Sequence, residues 1–358
     1  IGVSQCSEDD WRALLNTEIG REARFFGDIN VEITSAGDDS RKQIGDIEQF
    51  IASGKDLIIV APNVADDVQP AIEEAMAKGI PVILIDRRTQ SDNFTAFIGA
   101  DNNAIGENIG EYLHTQAKGN PASIVELRGL KGSSPEKERH EGFRRGIGKG
   151  DSVIASVYCD WNESNAVKAM DSLLKKHPHI DYVFAQNDRM ALGAHKAIKK
   201  ARRDKEIRII GVDGLVCKDG GVDMVIDHRL LATHTYPTGG SEAIQTAHKI
   251  LTGEPFQREM TLPSALVDST NARVLQLQYL TMMGLDEKYL KLERLTDHQL
   301  ERINTQQWML GGAILIVLLL AIGGSITYRL YREKAKVNEL MMDQIKTLVF
   351  SQHRDNEE

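Results

Sequence analysis

Polar and aromatic side chains follow several of the short apolar runs in this sequence. Asp86 and Arg87 come directly after one run, and Asp213 comes shortly after another. Asn187 and Trp161 stand in the same relation to two further runs. Carboxylates accept hydrogen bonds from hydroxyl groups, arginine and asparagine donate them, and tryptophan rings cover the C–H faces of a polar ring. Such a set is typical of a site that binds a sugar.

Each of these residues has a simpler interpretation when it is considered alone. An aspartate at a strand end more often forms a turn or caps a helix, and a lone tryptophan such as Trp11 is more often part of the core. The coincidence at successive strand ends favours a sugar site. Charge-assisted hydrogen bonds of roughly 1.5–3 kcal/mol each can offset the desolvation of a very polar ligand.

The elements that would position these residues alternate along the chain. Runs such as Val82–Ile85 and Ile207–Ile210 are typical of parallel strands buried on both faces. Between the runs lie helical stripes, for example Ile44, Ile47 and Ile51. The alternation predicts a doubly wound α/β fold, whose ligand site lies beyond the carboxyl ends of its strands.

The composition argues against several kinds of site. The formal net charge is −9, which argues against nucleic acid as a partner, because such binding needs a basic surface. Cys6, Cys159 and Cys217 lie far apart without a C-x-x-C pair, so neither a zinc knuckle nor a redox motif is predicted. We expect no cofactor and no metal site.

An enzymatic function would need another arrangement of charges. Asp86 and Asp213 could act as an acid–base pair. Arginines beside these carboxylates would lower their pKa values, which is a poor setting for a general acid. No Gly-rich phosphate loop or G-x-S-x-G motif occurs. We therefore expect this chain not to be an enzyme.

Residues Trp308 to Tyr328 contain no charged side chain. As a helix this segment spans roughly 31 Å, close to the hydrocarbon thickness of about 30 Å. Basic residues follow it, among them Arg329 and Arg332, and the positive-inside rule places that side in the cytoplasm. The sequence predicts a single-pass membrane protein with residues 1–307 outside the cytoplasm and residues 329–358 in the cytoplasm.

Four stretches resemble the ribose-binding branch of the type I periplasmic binding proteins. They are "ILIDRR", "VELRGLKGSSPEKERHEGFRRGI", "VFAQNDRMALGA" and "IIGVDG". The resemblance covers about Ile1 to Asp268 in order. It implies two α/β lobes joined by three hinge crossings, with a sugar held between them. It implies lobe one at 1–101 plus 236–262 and lobe two at 102–235 plus 263–282, with residues 1–307 in the periplasm and the membrane helix in the inner membrane. The residues after 282 themselves predict three further segments: 283–307 (juxtamembrane helix), 308–328 (transmembrane helix) and 329–358 (cytoplasmic signalling helix).

The resemblance also implies roles for individual residues. Asp86 and Arg87 match the pair that grips the sugar from lobe one, and Arg139 matches the arginine that clamps it. Trp161 falls where the family has an aromatic ring on one face of the sugar. Four further positions match aromatic or polar ligand positions of the family: Ser4, Trp11, Asn187 and Asp213.

Two segments depart from the family's pattern. Where ribose binders have Asn-Pro-Phe-Phe, this chain reads "EDDW", and where they have a glutamine beside the hinge it reads "HTYP". Both changes touch the predicted pocket, and they make Asp10 and Tyr236 candidate sugar ligands. A ketohexose such as fructose, or another monosaccharide, is therefore predicted at least as readily as ribose.

The chain continues past residue 282, where a soluble binding protein would end. Residues 286–307 predict a helix leading into the bilayer. Beyond the membrane, an imperfect heptad pattern predicts either a parallel two-helix coil in a homodimer or a merely amphipathic segment. The residues of this pattern are Leu330, Val337, Met341, Gln344 and Leu348.

A sugar-binding domain joined to one membrane helix resembles the sensor end of hybrid two-component histidine kinases, as does "TYPTGG" at 235–240. This resemblance implies a cytoplasmic kinase module in the same full-length chain. His353 lacks the His-Glu-x-x-x-x-Pro context of a phosphoacceptor, so we expect the kinase to lie beyond it. Two alternatives stay open: a membrane-tethered receptor that delivers sugar to a transport system, and a repressor core, which would need an N-terminal helix-turn-helix that the sequence does not indicate.

Overall fold

The computed structural model describes the backbone of residues 1–355 and their side chains, apart from those at 286, 287, 290, 293 and 350–355. By its contacts the chain divides into a unit of Ile1–Tyr279 and a second unit that begins at Leu280. The side chain of His353 and the last part of the predicted signalling helix, 356–358, lie outside the described residues.

The first unit alternates strands and helices, as the apolar runs predict. Its elements are, in chain order, β1 (Gly2–Gln5), α1 (Asp10–Phe25), β2 (Glu32–Ser35), α2 (Ser40–Ala52), β3 (Ile58–Val60), α3 (Ala65–Ala77), β4 (Val82–Ile85), β5 (Ala96–Ala100), α4 (Asn102–Gln116), β6 (Ser123–Arg128), α5 (Ser134–Gly146), β7 (Ser152–Tyr158), α6 (Glu163–Lys176), β8 (Tyr182–Ala185), α7 (Asp188–Lys200), β9 (Arg208–Asp213), α8 (Gly221–Ile226), β10 (Ala232–Thr235), α9 (Gly240–Thr252), β11 (Glu259–Leu262) and β12 (Leu266–Asp268).

The strands form two six-stranded sheets, in the orders β11-β5-β4-β3-β1-β2 and β12-β10-β9-β8-β6-β7. All neighbouring strands are parallel except β10 and β12. Apart from β11 and β12, the two orders are the same when the strand numbers are shifted by five. Each sheet therefore has a switch point, between β1 and β3 in the first sheet and between β6 and β8 in the second, where a crevice forms at the carboxyl edge.

Helices cover both faces of each sheet because successive strand residues point to opposite sides. In β4, Ile83 packs in the cluster that contains Leu15 of α1, whereas Leu84 packs in the cluster that contains Ile72 of α3. The second sheet repeats this arrangement, with α4 and α5 on one face and α6 and α7 on the other. The predicted α/β fold with two doubly wound parallel sheets is confirmed.

The chain crosses between the sheets three times. It passes from β5 to β6, from β10 to β11 and from β11 to β12. The first sheet thus takes strands from residues 2–100 and 259–262, and the second takes strands from 123–235 and 266–268. The finer lobe boundaries given by the resemblance stay a prediction.

After β12 the chain forms the helix α10 (Ala272–Asp355). The sequence divides this region into a juxtamembrane helix, a membrane helix and a signalling helix, whereas the structure has a single helix through all their described positions. No proline follows Pro263, so nothing removes a backbone donor from the helix. Within Arg294–Val349 the described residues contain a stretch long and apolar enough to cross a membrane, and it includes the predicted span.

Candidate functional site

A cavity with about 380 Å³ of empty space, partly open to solvent, lies among residues that follow the carboxyl ends of strands in both sheets. Helix α1 and the end of β4 supply residues from the first sheet, and β9, α5 and the N-cap of α7 supply residues from the second. The carboxyl edges of the two sheets thus share one site. The lining residues are Asp9, Trp11, Arg12, Asp86, Arg87, Pro135, Arg139, Trp161, Asn187, Asp213 and Tyr236.

Most of the predicted sugar ligands are brought together here. Two of them are outside the lining. Ser4 is fully buried within β1, and Asp10 is exposed as the first residue of α1. The predicted residues that do line the cavity are Trp11, Asp86, Arg87, Arg139, Trp161, Asn187, Asp213 and Tyr236.

The start of α1 explains why Asp9 and Arg12 line the cavity and Asp10 does not. Asp9 is the N-cap, and its Oδ1 accepts a hydrogen bond from the Arg12 backbone nitrogen at 2.8 Å. The helix therefore begins one residue after the cap, with Asp10 on its outer side and Trp11 and Arg12 buried. The sequence signal for these two residues is a capping aspartate followed by a buried arginine. A search limited to residues at strand ends does not find it.

Asp86 stands between two buried arginines. Arg12 Nη2 donates a hydrogen bond to Asp86 Oδ2, and Arg87 Nε lies 3.5 Å from the same oxygen. Burial disfavours the ionised carboxylate, but the charges of Arg12 and Arg87 outweigh it and lower the pKa of Asp86. Arg87 also donates to the Asn63 carbonyl oxygen at 3.1 Å. Arg12, Arg87 and Asp86 together therefore form a cluster with a net positive charge.

Arg139 is held by the chain on two sides. Its Nε donates to Asn102 Oδ1 at 2.9 Å, and its Nη1 donates to the Gln186 carbonyl oxygen at 2.5 Å. The guanidinium lies 4.5 Å from the ring centre of Tyr236 and 5.6 Å from that of Trp161. Arg139 is thus oriented before a ligand binds, which lowers the entropic cost of binding.

Three aromatic rings form apolar parts of the wall. The rings of Trp11 and Tyr236 lie 5.6 Å apart, and Trp11 Nε1 donates to the Tyr236 carbonyl oxygen at 2.8 Å. Tyr236 in turn donates its hydroxyl to the Asp86 carbonyl oxygen at 3.1 Å. The third ring, Trp161, packs so closely on Gly129 that a Cβ at that glycine would overlap it. These rings can cover the C–H faces of a bound ring.

Several polar atoms of the wall have no hydrogen-bond partner among the described residues. They include Arg12 Nη1, Arg87 Nε and Trp161 Nε1, all buried donors. Buried donors are normally paired, and an unpaired one costs free energy. Hydroxyl oxygens of a ligand would satisfy them.

Asn187 and Asp213 come from the second sheet. Asn187 is the N-cap of α7, accepting from the Met190 backbone nitrogen at 2.9 Å. Burial and the neighbouring charge of Asp188 raise the pKa of Asp213. Arg139 lowers it, but this effect is smaller. The expectation that arginines lower the pKa of both carboxylates therefore holds for Asp86 and is wrong for Asp213.

The family described as "Periplasmic binding protein domain" matches residues 1–255. Among curated proteins, the ribose import binding protein RbsB of Bacillus subtilis is 32% identical over 254 residues, which cover 70% of this chain and 81% of that protein. The galactofuranose-binding protein YtfQ of Escherichia coli is 33% identical over 226 residues, covering 60% and 71% of the two chains.

A solved structure resembles the chain more closely. The fructose-binding periplasmic domain of the hybrid two-component system BT1754 is 46% identical, with a TM-score of 0.80. The match covers 81% of this chain and 97% of that domain. With its two sheets, three crossings and shared cavity, the chain belongs to the periplasmic binding protein family and has the type I fold.

Proposed function

We propose that this chain binds a monosaccharide, fructose or a similar sugar, between two lobes with the boundaries given by the resemblance. The observation that carries the proposal is the cavity itself. Arg12, Arg87 and Trp161 line it, and each has a buried donor without a hydrogen bond among the described residues. Asp213 lines the same space. Alternating donors, acceptors and ring faces fit a ring of hydroxyls. The fructose named for the 46% identical domain is the first candidate.

A calorimetric screen of residues 1–279, which form one compact unit, tests this proposal. The sugars would be D-fructose, D-ribose, D-galactose, D-glucose and L-arabinose. We expect one of them to bind with a Kd in about the micromolar range, equivalent to about 8 kcal/mol. Absence of binding heat and of thermal stabilisation with every sugar would contradict the proposal.

Trp161 provides a test of the sugar-facing wall. Replacing Trp161 by alanine should weaken binding by about tenfold, because one ring face of the ligand loses its cover. Trp161→Phe should recover part of this loss. Tyr158→Ala is the matched control, since Tyr158 is exposed in the strand that precedes the same loop. Titration calorimetry measures all three, and equal losses for Trp161→Ala and Tyr158→Ala would count against the assignment.

We further propose that the chain is the extracytoplasmic sensor of a two-component receptor, anchored in the inner membrane by 308–328. Three features support this: the apolar stretch of α10, the likeness to a sensor domain, and the exposed apolar side chains of Leu330, Val337 and Leu348. These side chains suit a parallel pair of helices in a homodimer. A kinase module in the full-length protein would receive the signal.

A sugar that binds more tightly to the closed lobes than to the open lobes would shift the equilibrium toward the closed state. The size of the shift depends only on the difference between the affinities for the two states. In a dimer, that shift would move the paired membrane helices. Disulfide crosslinking between cysteines introduced near Gln307 should therefore give different yields with and without sugar. Identical yields would exclude this route.

A membrane-tethered transport receptor is the second candidate, favoured by the names of the curated relatives. It needs no paired helix after the membrane. Deleting 329–358 should then leave sugar uptake intact, whereas in a sensor the same deletion should abolish the response.

A further inference from the structure

Asp188 is a buried carboxylate that does not line the cavity. It follows the lining residue Asn187 as the first residue of α7, and only 4% of it is exposed. Its Oδ1 accepts a hydrogen bond from Thr233 Oγ1 and its Oδ2 accepts one from the Gly214 backbone nitrogen, both at 2.8 Å. The side chain therefore joins the start of α7 to β10 and to the residue that follows Asp213.

The backbone around this carboxylate leaves space for it. A Cβ at Gly211 would overlap Asp188 Oδ1, and a Cβ at Gly221 would overlap Oδ2. Two glycines from different segments thus give the carboxylate room. This close approach explains why glycine stands at positions 211 and 221.

Asp213 has an unusual backbone conformation, with φ of 125°. Residues other than glycine rarely adopt positive φ, and such a residue persists only where its surroundings hold it. The next residue, Gly214, is the one whose backbone nitrogen donates to Asp188. The hydrogen bond is therefore placed to hold the strained strand end that presents the Asp213 carboxylate to the cavity.

We propose that Asp188 is a positioning residue for the sugar site, which holds the backbone at Asp213 and Gly214 and so sets the direction and the charge of the Asp213 carboxylate. This inference rests on the proposed sugar-binding function. Asp188 itself is not among the residues that line the cavity.

The charge part of the proposal follows from the groups around the two carboxylates. Burial raises the pKa of Asp188, and the charge that Asp188 carries when it is ionised raises the pKa of Asp213. A negative charge behind Asp213 thus makes it harder to ionise. The other titratable or charged groups that act on the pair are Arg139, Asp9, Asp86 and Cys217.

Two substitutions of Asp188 separate geometry from charge. Asp188→Ala removes both hydrogen bonds and should weaken binding by about tenfold or more, because Gly214 loses its acceptor. Asp188→Asn can still accept from Gly214 and can donate to the Thr233 hydroxyl, so it should stay within about threefold of the parent at pH 7.5.

The pH dependence of the sugar affinity distinguishes the positioning role from a merely structural role, which would leave it unchanged. Affinity should fall on acidification, as Asp213 becomes protonated and loses its charge-assisted bonds to hydroxyls. In Asp188→Asn the missing negative charge should lower the pKa of Asp213 and move this fall to lower pH, by about one unit.

The experiment uses the complete chain in detergent micelles, with D-fructose as the titrant from pH 4.5 to 8. Asp204→Ala, an exposed aspartate in the loop after α7, is the control and should match the parent. The inference is overturned if Asp188→Ala binds within about threefold of the parent, or if Asp188→Asn is as weak as Asp188→Ala and keeps the parent's pH profile.

If Asp188→Ala does not fold, Asp188→Asn and Thr233→Val carry the test. Thr233→Val removes one hydrogen bond at nearly constant volume and should weaken binding several-fold. Parent-like affinity in both, with an unshifted pH profile, would overturn the inference. A parent chain that binds neither D-fructose nor the other sugars of the screen contradicts the proposed function instead. A parent that binds, with Asp213→Asn weakened and Asp188→Ala unaffected, contradicts the positioning role alone.

Discussion

Replacing Arg139 by alanine is expected to lower the affinity for sugar by about a hundredfold or more. Hydrogen bonds from a charged donor contribute about 1.5–3 kcal/mol each, so the loss of two reaches or exceeds this factor. Arg139 is buried and already oriented by Asn102 and the Gln186 carbonyl, so little of its binding free energy is lost to ordering. Titration calorimetry on residues 1–279 measures the change.

Arg144→Ala is the control for this prediction, because Arg144 lies on the same helix and its side chain is exposed. It removes the same charge from the protein at a place away from the cavity. If both variants weakened binding equally, the effect would come from net charge, and Arg139 would not be a ligand. A thermal melt without sugar would separate lost affinity from lost folding.

Replacing Asp86 by alanine should destabilise residues 1–279 by about 3–5 kcal/mol, because it leaves a buried guanidinium without its counter-charge. Arg12 is only 3% exposed, and Asp86 accepts its hydrogen bond. Sugar binding should be lost as well, since Arg12 and Arg87 would no longer be held in place. Urea unfolding followed by circular dichroism measures the change in the free energy of unfolding.

Asp92→Ala is the matched control, six residues along the chain and exposed. Exposed substitutions of this kind change stability by about 0.5 kcal/mol or less. An Asp86→Ala variant as stable as Asp92→Ala would mean that Arg12 finds another partner or reaches water. The ion pair would then be a minor feature of the site.

The sequence predicts the sheets well because their strands are apolar on both faces. Val82–Ile85 and Tyr182–Ala185 are entirely buried, so each appears as a continuous run that no exposed helix would show. The polar residues that follow these strands can be predicted to lie together for a different reason: parallel strands bring their carboxyl ends to one edge of the sheet.

The parts of the site that the sequence does not predict depend on packing between distant residues. Arg12 lies inside a helix, and its role becomes visible only when Asp86, 74 positions away, is placed beside it. The shift from Asp10 to Asp9 depends on which aspartate caps α1, a difference of one residue. Ser4 lies inside β1, and the resemblance alone does not tell which strand residues reach the edge.

The raised pKa of Asp213 is a further property that spacing cannot give. The arginine that acts on Asp213 is Arg139 of α5, and it lowers the pKa less than burial and Asp188 raise it. The burial of Asp213 and the charge of Asp188 depend on the meeting of β9, β10 and α7, which only the folded chain brings about.

Tyr236 stands on the segment that leads from the second sheet back to the first, and it also lines the cavity. Its ring packs on Trp11 and its hydroxyl bonds to the backbone of Asp86. Natural variation at this position would alter the preferred ligand and the ease of bending together. The sugar preference of the domain and its affinity would then change together.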